Sequence, residues 1–231
     1  MASKLSQLQK EIIHCTQCPR LVDWREKVAK EKVRRFESED YWGKPIPSFG
    51  DARARLLLVG LAPAAHGGNR TGRMFTGDRS GDWLFSALYK FGFANQSESI
   101  NSEDGLALQD CYITAALHCA PPKNKPTGDE KERCFAFLKM EIFLLENVRV
   151  IVALGKIAFD TVVKYFKNCS KHEFTKPPAF AHGREMILNE KVVLIASYHP
   201  SQQNTFTGRL TRPMFEAIFH RARQLLTEGT G

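Results

Sequence analysis

Four short runs of the chain are apolar almost without interruption: Arg55–Gly60, Asp110–Ala116, Val148–Leu154 and Lys191–Ser197. A strand with one solvated face alternates apolar and polar residues. A near-continuous aliphatic run belongs to a strand covered on both faces. Between these runs the periodicity becomes helical. Asp82–Phe91 places Trp83, Leu84, Ala87, Leu88 and Phe91 on one stripe. Glu130–Glu146, Lys156–Phe166 and Leu210–Leu226 behave similarly, the last with Leu210, Met214, Ile218 and Leu225 along one face. Leu5–Ile13 and Leu21–Arg35 predict two more helices flanking a cysteine pair. Strands alternating with helices predict an α/β fold. It should have three layers, α/β/α, around a central four-stranded, mainly parallel sheet with right-handed crossovers. Ala94–Gln109 and Asn168–Asn189 read as long insertions. No repeat, low-complexity tract or linker divides the chain, so residues 1–231 are expected to form one domain.

Ligands of open parallel sheets bind beyond the carboxyl ends of the strands. Three predicted loops lie there: Leu61–Asp78, His118–Pro126 and Tyr198–Thr211, all rich in Gly, Pro, Asn, His and Arg. The first lacks lysine and both glycine-rich phosphate-binding spacings, so a nucleoside triphosphate or dinucleotide site is poorly supported. Its Ala62, Ala64, Ala65, Gly67 and Gly68 let a flat ligand approach the backbone. Phe75 either stacks on that ligand or belongs to the core. The last loop places His199 directly after a strand, where its ring can donate a hydrogen bond to charge developing on a leaving group.

Charge adds a partner class. Lysine and arginine number 33 against 25 acidic residues, a net charge of +8. That excess raises the case for a polyanionic partner, nucleic acid before anionic membrane. Arg70, Arg73, Lys123, Lys125, Arg209 and Arg212 fall in the three loops and are candidate phosphate contacts, with Gln202 and Asn204 on the polar tip between them. The chain shows no secretory signal and no run long enough to span a membrane, so a cytoplasmic protein is expected.

Six cysteines without a secretory context argue against a disulfide framework. Cys15-x2-Cys18 lets two thiolates reach one metal from a tight turn, and Cys119-x14-Cys134 could close the site by a wrapping loop. Four thiolates suit zinc or an iron–sulfur cluster, and spacing does not choose between them. Free buried thiols are the plainer alternative.

Three segments together resemble the uracil-DNA glycosylase superfamily. GLAPAAHGGNRTGRMFTGD is similar to its motif A, HPSQQNTFTGRLT to its motif B, and CxxC with HCAPPKNKP…C to the cysteine set of its iron–sulfur branches. The family 5 type is the nearest match, from Cys15 to about Thr211. The resemblance implies a monofunctional DNA glycosylase that flips uracil, and other deaminated bases such as hypoxanthine and xanthine, out of DNA and hydrolyses the N-glycosidic bond. A monomer acting on double-stranded DNA is expected, with single-stranded DNA a further candidate. The resemblance also implies a [4Fe–4S] cluster on Cys15, Cys18, Cys119 and Cys134. Phe75 would stack on the base, His199 would be the motif B histidine, and Gly60, Ala62, Ala64 and Ser201 would line the base pocket.

Two departures from the superfamily pattern matter. Gly60 is followed by Leu61, Ala62, Pro63 and Ala64, without the polar residue that activates water in most branches. Ala115 stands where family 4 carries a uracil-reading asparagine, so discrimination among bases should be looser. Water chemistry is therefore expected from Asn124 and Asp78, although Asp78 could equally be an ordinary helix cap. A damage-binding module without catalysis and a zinc-dependent hydrolase are the rival readings.

Overall fold

The computed structural model describes residues 2–169 and 178–228, with the side chains of Ala2 and Cys169 outside the description. Part of the predicted insertion Asn168–Asn189 therefore lies outside the described residues. In chain order the elements are α1 (Ala2–Ile13), α2 (Pro19–Glu31), β1 (Phe49–Gly50), β2 (Leu56–Gly60), α3 (Gly68–Thr71) and α4 (Arg79–Lys90). Then follow β3 (Cys111–Ala115), α5 (Gly128–Leu144), β4 (Val150–Leu154), α6 (Lys156–Cys169), β5 (Glu185–Ile187), β6 (Val193–Ser197), α7 (Gln202–Phe206) and α8 (Arg212–Glu228).

The sheet has six strands in the order β1-β3-β2-β4-β6-β5. Its centre, β3-β2-β4-β6, is parallel and in register, with Leu57 beside both Tyr112 and Ile151, and Ile151 beside Leu194. These are the four strands the apolar runs predict. The two antiparallel edges extend the expected four-stranded sheet. Neither edge was visible in the pattern, because β1 spans two residues and β5 alternates exposed, half-buried and exposed. Such short edges also discourage pairing with a second chain.

Successive side chains of a strand point to opposite faces, and the two cores follow that rule. Leu56, Leu58, Ile113, Val152 and Ile195 face α4 and α8, packing with Leu84, Leu88, Phe215 and Phe219. Leu57, Val59, Ile151, Leu194 and Ala196 face α1, α5 and α6, packing with Leu8, Ile12, Leu138, Phe159 and Val162. The helices start where local chemistry allows. Pro19 opens α2, and Asp78 accepts the Gly81 N–H at 3.0 Å to cap α4. Thr127 and Glu130 form a reciprocal capping box on α5. Among the described residues, no helix is long and apolar enough to cross a membrane.

The first turn of α4 approaches the preceding loop so closely that a Cβ on Gly81 would overlap the Phe75 carbonyl. Gly81→Ala is expected to destabilise the protein by about 1–3 kcal/mol through overpacking. Urea unfolding measures this; a wild-type midpoint would show that the loop yields freely.

Candidate active site

Four strand ends, rather than three, build the cavity. A hollow of about 670 Å³ is lined by Leu61, Ala62, Ala64, Phe75 and Asp78 from the loop after β2, by Asn124 after β3, and by His199, Ser201 and Gln202 after β6. The short turn after β4 contributes Leu154, Gly155 and Lys156, which sequence reasoning missed. Its signal was slight: a single glycine between a strand and a helix. Gly155 has φ +100, and an added Cβ would lie 3.5 Å from His199 Cβ, so the turn runs close beneath the histidine.

Phe75 and His199, far apart in sequence, stack with ring centroids 5.9 Å apart and an interplanar angle of 28°. Phe75 has φ +53, a left-handed conformation unusual for a bulky residue and one that clusters at functional sites. Its ring also explains Gly60, where an added Cβ would lie 2.8 Å from Phe75 Cζ. Gly60 therefore admits the phenylalanine ring and is not itself part of the cavity lining. Phe75 is at once core and cavity wall: it packs among Leu58, Leu84 and Leu154 while bordering the hollow.

His199 retains some solvent contact, yet desolvation of its ring lowers the pKa from 6.5 to about 4. The imidazole is thus neutral at physiological pH, able to donate one hydrogen bond and accept one. Its loop is held from within, since Asn204 Nδ2 donates to the His199 carbonyl at 2.8 Å and Ser201 caps α7. Asn204 and Ser201 consequently have structural partners in addition to any ligand.

Asp78 is a helix cap set in the cavity wall: it caps α4 and also lines the hollow. Burial raises its pKa, opposed by the N–H groups of Gly81 and Ser80. Its carboxylate rests where a side chain on Gly67 would have to be. Asn124 is exposed at φ +56 in a 3-10 turn and borders the same hollow. A second hollow of about 800 Å³ adjoins the first, sharing Ala64, Asp78, Arg79, Asn124 and Gln202 with it.

The expected basic rim needs correction at two positions. Arg73 is buried, paired with Asp104 at 2.7 and 2.9 Å and bonded to Thr76 and Ser99. The carboxylate comes from the Ala94–Gln109 insertion, which thereby anchors the loop after β2. Arg70 is also buried, spread over the carbonyls of His66 and Gly77, the Glu39 carboxylate and the Phe36 ring. A charge already satisfied inside the protein has little left for phosphate. Lys123, Lys125, Gln202, Arg209 and Arg212 are exposed. Arg209 lies over Tyr198 and Arg212 over Trp83, aromatic seats that leave the guanidinium edges in water. Arg79, missed in sequence because it opens a helix, lies over the exposed Phe206 ring at 4.3 Å.

Cys15, Cys18, Cys119 and Cys134 line one small cavity with Leu21, Arg25 and His118. Burial pushes the Cys119 thiol up to about 11, opposed by Arg25, whose Nη1 donates to its sulfur at 3.2 Å. The His118 N–H donates to Cys134 Sγ at 3.4 Å. Among the described residues, no group of three or more His, Cys, Asp or Glu is arranged to grip a single metal ion.

Residues 47–223 match the family model of the uracil DNA glycosylase superfamily. A type-5 uracil-DNA glycosylase of Mycobacterium leprae is 48% identical over 225 residues, covering 97% of this chain and 96% of that one. The type-5 enzyme of Thermus thermophilus is 49% identical over 212 residues, covering 91% and 93%. A type-4 uracil-DNA glycosylase of Archaeoglobus fulgidus is 32% identical over 164 residues, covering 68% and 70%.

The neutral histidine has a pH consequence. Its folded pKa lies below the unfolded value, so between about 4 and 6.5 only the unfolded chain binds the proton. Stability from this group is complete above pH 6.5 and lost as the pH falls towards 4. NMR of the His199 ring should show no titration between pH 8 and 5. A midpoint near 6.5 would refute the desolvated ring.

Proposed function

The chain belongs to the uracil-DNA glycosylase superfamily, and from that premise we propose that it excises uracil from DNA by hydrolysing the N-glycosidic bond. The observation that carries this reading is the stack of Phe75 and His199 in one hollow beyond the parallel strand ends. The similarity to type-5 uracil-DNA glycosylases over nearly the whole chain supports it. Hypoxanthine and xanthine join the substrate range because Ala115 offers no side-chain donor or acceptor with which to select uracil. The chain acts as one domain.

The mechanism follows from the chemistry of these groups. Extruding the base from the stack costs a few kcal/mol, and less at a mismatch. Phe75 receives the face of the flipped base, while Gly60 gives its ring room and Ala62, Ala64 and Ser201 border the pocket. As the glycosidic bond breaks, negative charge gathers on the departing base. Neutral His199 donates a hydrogen bond to that charge. The sugar becomes cationic; Asp78 faces it, and Asn124 holds the water that attacks it. The N–H groups of Gly81 and Ser80 donate to this carboxylate and oppose the upward pKa shift that its burial causes. Cys15, Cys18, Cys119 and Cys134 would hold a [4Fe–4S] cluster, whose iron–thiolate bonds would tie α2 to the loop carrying Asn124. Four thiols around one cavity match the donor set of an iron–sulfur centre.

DNA is gripped by Lys123, Lys125, Arg79, Arg209 and Arg212, and α7 with Gln202 and Phe206 enters the helix where the base leaves. Arg209→Ala and Arg212→Ala should each lower the slope of log affinity against log salt by about 1. Arg73→Ala should leave that slope unchanged and destabilise the fold by about 1–3 kcal/mol, because Asp104 loses its guanidinium and keeps only backbone N–H donors such as those of Ile100 and Leu106. Equal slopes for all three variants would overturn this division of the charge.

The decisive experiment incubates the protein with a duplex carrying one uracil, followed by alkali. Strand breaks are expected, and His199→Ala should slow single-turnover excision about 10²–10³-fold. A duplex bound but left intact would make the protein a damage-binding module instead. Wild-type rates in His199→Ala would remove the histidine from the mechanism.

A further inference from the structure

Arg25 borders the cysteine cavity rather than the base cavity and is 4% exposed. Such a guanidinium requires several partners, and those of Arg25 come from three parts of the chain. Nη1 donates to Cys119 Sγ at 3.2 Å and to the Cys15 carbonyl at 3.4 Å. Nε donates to the Gly43 carbonyl at 3.1 Å. Its carboxylate partner, Glu26, is 3.7 Å away and mostly exposed, so Cys119 is its chief side-chain partner on the buried side.

The other end of this residue is bonded as well. Asn69, 1% exposed, donates from Nδ2 to the Arg25 carbonyl at 3.2 Å. The Gly43 N–H donates to the Asn69 carbonyl at 3.1 Å. Arg25, Gly43 and Asn69 thus form a closed ring of hydrogen bonds joining α2, the 41–47 loop and α3. From α3 the order continues into the cavity wall. The Asn69 N–H donates to the Ala64 carbonyl at 3.0 Å, and Arg70 and Thr71 N–H groups donate to the Gly67 carbonyl, each at 2.9 Å. Ala64 lines the hollow, and Gly67 supports the Asp78 carboxylate.

We propose that Arg25, Gly43 and Asn69 form a buried brace through which the cysteine centre positions the Ala64–Gly67 turn, and with it Asp78, for base excision. This rests on the function proposed above. Arg25 and Asn69 are positioning residues that touch neither base nor sugar. Lysine in place of Arg25 keeps the charge but has no planar fork with which to join Cys119 to Gly43.

The test compares Asn69→Ala, Arg25→Lys and the double variant with the wild-type holoprotein. Iron and sulfide content, visible absorbance, affinity for uracil-containing DNA, single-turnover rate and amide hydrogen exchange are measured on each. Asn69→Ala should retain its iron, absorbance and DNA affinity. It should lose about tenfold to a hundredfold in excision rate, the scale expected for a small misplacement of reacting groups. Amides 69–72 should exchange at least about tenfold faster in both single variants. The double variant should be no slower in excision than the worse single, since members of one network are not additive. Wild-type rate and exchange in Asn69→Ala with the iron retained would overturn the proposal, as would additive losses in the double variant. Asn69 touches no cysteine, so it decides the matter even if Arg25→Lys sheds iron. Should the wild-type protein fail to excise uracil, the functional reading falls, and the exchange rates of amides 69–72 still decide for or against the brace.

Discussion

Phe75 is held at φ +53 between two glycines, its ring against Gly60 at the end of β2 and its carbonyl against Gly81 in the first turn of α4. Neither contact leaves space for a Cβ. The loop after the central strand is therefore locked to both the sheet and the helix that follows it. His199 stacks on the other side of this anchor, and Asp78 starts the helix beside it. The strained backbone persists because the surrounding packing over-determines it. A cavity that must hold a flat ligand in one orientation benefits from such rigidity, since a loose wall would lose the alignment on which catalysis depends.

The same economy governs charge. The chain carries an excess of basic residues, but several arginines spend their charge inside. Arg73 holds the insertion through Asp104, Arg70 ties the α3 turn to Glu39 and Gly77, and Arg25 faces Cys119. Among the exposed cations, Arg79 and Lys123 border the hollows, and Arg79, Arg209 and Arg212 are seated on aromatic rings. Stacking restricts their motion while leaving their N–H groups free. An overall positive charge thus consists of two populations, one that builds the loops and one that faces outward.

The sequence was most legible where the physics is local. Buried strands must be apolar throughout, so β2, β3, β4 and β6 stood out, and amphipathic stripes revealed the long helices. Asp78 could be read as a cap because capping needs only neighbouring residues. The histidine after β6 and the small-residue loop after β2 were readable as cavity candidates because parallel sheets bind ligands at that end. The edge strands, α3 and α7 were not readable, being too short to carry a period. The turn at Gly155 passed unnoticed because one glycine between strand and helix is ordinary until a partner is seen above it.

Order along the chain determined the three-layer scheme, the parallel centre of the sheet and the three loops at one end, since burial and helical period are written into consecutive residues. Tertiary structure alone decided which arginines are internal, that Gly60 serves Phe75, that Phe75 meets His199, and that Arg25 reaches both Cys119 and Asn69. Those outcomes depend on groups separated by tens of residues arriving within a few ångströms of each other. Side-chain identity states what a group can bond to, but only the folded chain determines which partner arrives first and whether any bonding capacity remains for a ligand.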